Sequence, residues 1–252
     1  YIISETLHGL GIPTTRSLAV TKTGEQVFRE SSLQGAILTR VAKSHIRVGT
    51  FQYLAAKGDL ETLKDLVTYS INRHYAHFKN EENLALALLD SVIEQQINLI
   101  VHWMRVGFIH GVMNTDNMTI SGESIDFGPC AFMDRYDEKT CFSSIDLQGR
   151  YSFGNQPAIA QWNLARFAET LLPLINNDEK VSIKIAEEKV NNFKIVFEQK
   201  WIEMMKHKLG IFGDEKKDHS LIQDLLSWMK NNNVDYTNTF CYLMKQRIDN
   251  FK

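Results

Sequence analysis

Twenty residues near the middle of the chain, HGVMNTDNMTISGESIDFGP from His110 to Pro129, gather the side chains best suited to chemistry. Asp116, Asn117 and Asp126 offer carboxylate and amide oxygens, the donors a hard divalent cation prefers. Magnesium is commonly held by one or two such side chains together with substrate phosphates. Asn117 and Asp126 lie nine residues apart across a hairpin-like stretch, a spacing that lets both reach one ion. Asp116 is the nearby carboxylate that could accept a proton; equally, an Asp in such a loop can cap its own turn. A second cluster, Arg40, Lys43 and Arg47 in TRVAKSHIRVG, follows a strand-like run. Guanidinium forks grip phosphate oxygens and stay charged, so the cluster suits a triphosphate, although three charges in eight residues are more commonly a solvated basic face.

The spacing has a known counterpart. In protein kinases a catalytic-loop His is followed seven residues later by a metal-binding Asn and then by Asp-Phe-Gly; here His110, Asn117 and Asp126-Phe127-Gly128 fill those places. The kinase catalytic Asp would fall at Val112, and a valine takes no proton. Either the site is catalytically dead or another carboxylate serves, and Asp116 is the candidate within the loop. Other sites are weaker. His74 and His77 lie three apart on a helical stretch without an evident third ligand and read as an exposed face. Ser143 and Ser144 near Asp146 lack the paired histidine of a hydrolase triad.

These groups need rigid elements to hold them. An opening amphipathic helix, YIISETLHGL, ends at Gly9 and Gly11 before Pro13. Two strand-like runs follow, Ser17 to Thr21 and Ala36 to Val41, with a turn expected at TKTGEQ. From Asp59 the pattern turns helical, with Leu60, Leu63, Leu66 and Val67 on one helix and Leu84 to Ile100 on a longer one running into Gly107. Helices are also expected over Ala158 to Leu172 and Leu221 to Met229. The stripe Val190, Phe193, Phe197, Trp201, Met204 and Met205 reads as core. The run Asn231 to Asn233 punctuates the chain before a last segment containing Phe240.

Composition narrows the class. With 252 residues, 44% hydrophobic and 23% charged, the chain can bury a substantial core. Its 28 Lys and Arg against 30 Asp and Glu give no global field for nucleic acid or an anionic membrane. Uninterrupted apolar runs such as Ile97 to Val101 fall short of the roughly 20 residues of a membrane span, and no secretory signal is evident at the N-terminus. Cys130, Cys141 and Cys241, without CxxC spacing, suggest neither a disulfide framework nor zinc. The chain begins at Tyr1 inside a helix, so a preceding segment is expected.

The segments GIPTTRSLAV (11 to 20), GAILTRVAKSHIRVG (35 to 49), HGVMNTDN (110 to 117), IDFGP (125 to 129) and GRYSFGNQPAIAQWNLARFAETLLPLI (149 to 175) resemble the selenoprotein O family, and the likeness runs on through VDYTNTF (234 to 240). The resemblance implies an α+β, protein-kinase-like fold: a partial N-lobe remnant over 1–57 and a mostly α-helical C-lobe over 58–252. It also implies a pseudokinase motif set that binds ATP in a flipped orientation and transfers AMP to Ser, Thr or Tyr hydroxyls of proteins. By motif, Asp116 is similar to the proton acceptor, Asn117 and Asp126 to the metal ligands for Mg2+ or Mn2+, and Arg40, Arg47 and Asp126 to nucleotide contacts. Family members carry upstream glycine-rich segments, a phosphate-binding Lys and its partner Glu, none of which is found here, so a fragment is expected. A family tail beyond Lys252 is expected to be missing too, and Cys141 is a candidate to pair with a tail cysteine. The alternative is a non-catalytic ATP-binding scaffold. A monomer is expected, without nucleic-acid or membrane partners, in a bacterial cytoplasm, or in a mitochondrion for a eukaryotic source.

Overall fold

Nearly all the secondary structure that follows Arg47 is helical, because apolar residues recur there at spacings of three and four. The computed structural model describes residues 1–213 and 215–249. A short helix, α1 (Ile2–Gly9), leads into a hairpin of β1 (Arg16–Phe28) and β2 (Ser32–Val41). TKTGEQ does not turn the chain, contrary to the sequence expectation. Gly24 adopts φ 82° and the register slips between Lys22 and Gln26, so the segment continues β1 as an irregular strand. The reversal comes at 29–31, where Phe28 pairs with Ser32.

Next comes α2 (Val48–Lys57), which the sequence reading passed over; its ten residues bury only Val48 and Phe51. Phe51 meets Phe167 edge-on at 4.9 Å, joining α2 to α5 (Gln156–Ile175). Asp59 caps α3 (Leu60–His74) by accepting the Thr62 N–H. Asn83 does the same for α4 (Leu84–Val106), which closes at Gly107 in the left-handed conformation, φ 72°.

α4 is the axis of the molecule, packed against α3, α5 and the 31-residue α6 (Glu179–Leu209). It is buried on most sides, including Leu88, Leu89, Val92, Ile97 and Ile100. Counting uninterrupted apolar runs missed one property of this helix. By length and a mean hydropathy of 1.5 it could cross a membrane, yet 61% of that apolar window is covered by the rest of the fold. A helix apolar all round belongs in a core or a bilayer, and here α5 and α6 supply the core.

The expected stripe lies on α6, with Val190, Phe193, Met204 and Met205 buried and Phe197 and Trp201 partly so. α7 (Asp218–Asn231) and α8 (Tyr236–Asp249) close the chain's described part. The break between them falls at the Asn run, Asn233 taking φ 54°. A second small sheet, β3 (Phe108–Ile109) with β4 (Ala131–Phe132), brackets the intervening loop. Helices with two small antiparallel sheets make the class α+β, as expected.

Candidate active site

The loop between β3 and β4 has almost no regular structure, so its backbone polar groups must find partners elsewhere. Side chains of α4 and α5 supply them. Gln156, fully buried, accepts the His110 N–H through Oε1 at 3.0 Å and donates to the Phe108 carbonyl at 3.0 Å. Asn163 donates to the Met113 carbonyl at 2.8 Å, Gln96 to that of Thr119 at 2.7 Å, and Trp103 Nε1 to Ser124 Oγ at 2.8 Å. His110, also fully buried, reaches the Ile125 carbonyl through Nε2 at 2.7 Å, while its Nδ1 receives the Val112 N–H at 3.4 Å. Burial holds this imidazole below its ordinary pKa, opposed by the bond to Ile125. It is therefore neutral near pH 7, with the proton on Nε2, and it ties the start of the loop to the residue before Asp126.

Three of the sequence-selected residues lie on this frame. Asp116 and Asn117 form a 3-10 turn, Thr115–Asn117, packed against α2. The Asn117 amide nitrogen donates to the Val112 carbonyl at 3.0 Å, and its Oδ1 accepts no hydrogen bond among the described residues. Asp116 is exposed and its carboxylate accepts no hydrogen bond among the described residues, so capping of its own turn does not occupy it. Asp126 is exposed too and holds φ 65°. A non-glycine residue in that region carries backbone strain of the sort that persists where the surroundings over-determine it. Among the described residues no three His, Cys, Asp or Glu side chains gather into a closed metal site. An amide oxygen and a carboxylate, the donor types that Asn117 and Asp126 offer, are those of a cation that keeps its waters and substrate phosphates as further ligands.

The basic cluster splits. Arg47 is joined to the loop by backbone pairing with Thr119, flanked by Val48 N–H to Met118 carbonyl at 3.0 Å and Ile120 N–H to Ile46 carbonyl at 3.1 Å. It is thus fixed beside the Asp116–Asn117 turn. Arg40 sits exposed on β2, paired with Ser17. Lys43 points to solvent while its backbone is clamped: buried Glu123 accepts its N–H at 3.0 Å, and Arg73 donates twice to its carbonyl at 2.8 and 2.5 Å. His74 is not on a bare face either, since Nε2 meets Ser44 Oγ at 2.9 Å. His77 instead meets the Phe78 ring at 4.0 Å with the planes tilted by 48°. The other root of the hairpin is held through Ser124, whose N–H and carbonyl bond Pro13 and Thr15 at 3.0 Å each. Asp146 organises its own loop, accepting from the N–H groups of Arg150 and Tyr151 and from the Cys141 thiol.

With that geometry in place, comparison with known proteins is decisive: the sequence model of protein adenylyltransferase SelO matches residues 1–252. The chain belongs to the SelO family. Relatives named protein nucleotidyltransferase YdiU are 59% identical over 250 residues in Pelagibacter ubique and 61% over 248 in Alcanivorax borkumensis. Another in Bacillus cereus is 58% identical over 250 residues. These alignments cover 98 to 99% of this SelO-family chain and 51 to 52% of the relatives, so it spans about half their length. Gln96, Trp103, Glu123, Gln156 and Asn163 were not singled out from the sequence. The available signal was polar residues at otherwise apolar helical positions, as in QPAIAQWN, where Gln156 and Asn163 lie seven apart and so share a helix face.

Proposed function

We propose that this chain carries the catalytic-loop part of a protein adenylyltransferase with a protein-kinase-like arrangement, transferring AMP from ATP to Ser, Thr or Tyr hydroxyls. What supports this above all is the backbone pairing of Arg47 with Thr119, which brings an arginine close in the fold to the turn bearing Asp116 and Asn117. Family membership and the kinase-like His110, Asn117, Asp126-Phe127-Gly128 spacing agree with it. The N-lobe part would be residues 1–57 and the C-lobe part 58–252, in a bacterial cytoplasm.

In this reading Asn117 Oδ1 and the Asp126 carboxylate would hold Mg2+ or Mn2+, which supplies charge neutralisation on the phosphates when bound. Arg47 and Arg40 grip phosphate oxygens. Asp116 orients the acceptor hydroxyl and takes its proton as the oxygen bonds to the α-phosphorus. The bond from that phosphorus to the oxygen bridging to the β-phosphate breaks, and pyrophosphate leaves. Most of the acceleration comes from positioning and electrostatics, since little covalent chemistry falls to the protein.

The test uses ATP labelled at either phosphate, supplied to this chain and to a full-length YdiU relative carrying it in the matching region. Label is expected in protein from the α position and not from the γ position. Asp116→Ala should cut incorporation by about 100-fold or more, the order lost with a general base. Label from the γ position alone would indicate an ordinary kinase. ATP-dependent thermal stabilisation without covalent product would favour the scaffold reading, which Val112 at the kinase carboxylate position motivates.

A further inference from the structure

Gly49 is the second residue of α2, two positions after Arg47, and its presence there is unexplained by conformation. Its backbone is helical and its φ is not positive, so an alanine would serve the helix better. The explanation is steric. A Cβ built on Gly49 would lie 2.0 Å from Asp116 Oδ1 and 3.1 Å from its Cγ, while the nearest backbone atom, Asp116 Cα, stays at an ordinary 3.7 Å. The Asp116 carboxylate therefore rests directly on the bare Cα of Gly49.

Building on the role given above to Asp116, we propose that Gly49 is a positioning residue that seats the Asp116 carboxylate against the first turn of α2. The same turn is locked to Arg47, whose N–H is accepted by Thr50 Oγ1 at 3.2 Å and whose backbone pairs with Thr119. One helical turn thus ties the Asp116 carboxylate and the Arg47 backbone to a common frame. A side chain at position 49 would turn the carboxylate away without requiring the backbone to move, because the conflict is with the end of a short side chain.

Gly49→Ala is the test, with Asp116→Ala and the double variant as controls. The melting temperature of Gly49→Ala should be unchanged or raised, and affinity for magnesium-ATP, measured by calorimetry, should stay within about twofold, since phosphate contacts are left in place. A crystal structure should show the Asp116 side chain in a different rotamer. Turnover should fall by about 100-fold with KM for ATP little changed, the order expected from misplacing a reacting group by about 1 Å. In the Asp116→Ala background the glycine substitution should cost nothing further.

An unmoved Asp116 rotamer, unchanged turnover, or an additional loss in the double variant would each overturn the proposal. Should Gly49→Ala fold poorly, Asp116→Ala must restore it by removing the collision; no restoration also overturns the proposal. Should Asp116→Ala leave transfer intact, the catalytic reading falls instead, while the rotamer in the crystal still decides the seating.

Discussion

Asp126 combines the proposed metal contact with the strained φ of 65°, and the two properties separate by mutation. Asn tolerates the left-handed region better than Ala does. Asp126→Ala should therefore be less stable than Asp126→Asn by about 1 kcal/mol, read from urea midpoints, while both lose metal-dependent transfer. Equal midpoints would mean that the backbone relaxes once the carboxylate is gone. The motif residues could be nominated from sequence because their types and spacing suggest chemistry whatever surrounds them. Gly49 could not, because its importance comes from Asp116, a neighbour 67 positions away.

The loop owes its shape to α4 and α5 rather than to any propensity of its own. Gln156→Leu keeps the volume but strands the His110 N–H and the Phe108 carbonyl, both buried. Each orphan costs about 1–3 kcal/mol, so denaturant unfolding should report a loss of roughly 2 kcal/mol or more. A loss below about 0.5 kcal/mol would mean that water replaces the amide. The long helices were readable because periodicity persists over many turns in α4, α5 and α6. α2 escaped because ten residues with two buried positions give little periodic signal, and its burial is decided by Phe167 on a distant helix. TKTGEQ misled for a related reason: Gly24 permits a tight turn and a strand irregularity alike, and only pairing with β2 selects between them.

Across the molecule, the ends of α4, α6 and α8 converge on Lys208. Its ammonium donates to the Arg105 carbonyl at 2.5 Å and lies 4.2 and 3.7 Å from the rings of Tyr236 and Phe240. Burial pushes its pKa down to about 7, against roughly 10.4 in the unfolded chain. Between those values the unfolded state binds the extra proton, so this group makes stability rise with pH from 7 towards 10 and leaves it level below 7, where both states are protonated. Lys208→Met should flatten that part of the melting-temperature profile and gain most on the wild type near pH 6. Identical profiles would show that the rings fully compensate for burial. The hairpin of β1 and β2 carries another consequence. Leu18, Phe28 and Ile37 on it are 70, 82 and 62% exposed, yet both its legs are sewn by backbone bonds to the segment from Met118 to Ser124. An arm so attached has no hinge at its shoulder: pulling its tip loads the loop that bears Asp116 and Asn117, and compliance is left to the irregular stretch around Gly24. Amide exchange should accordingly be fast in the forearm beyond Lys22 and slow at Val48 and Ile120, whose N–H groups make the seam, so that under the proposed function a nucleotide gripped by this arm would be felt mechanically where the hydroxyl reacts.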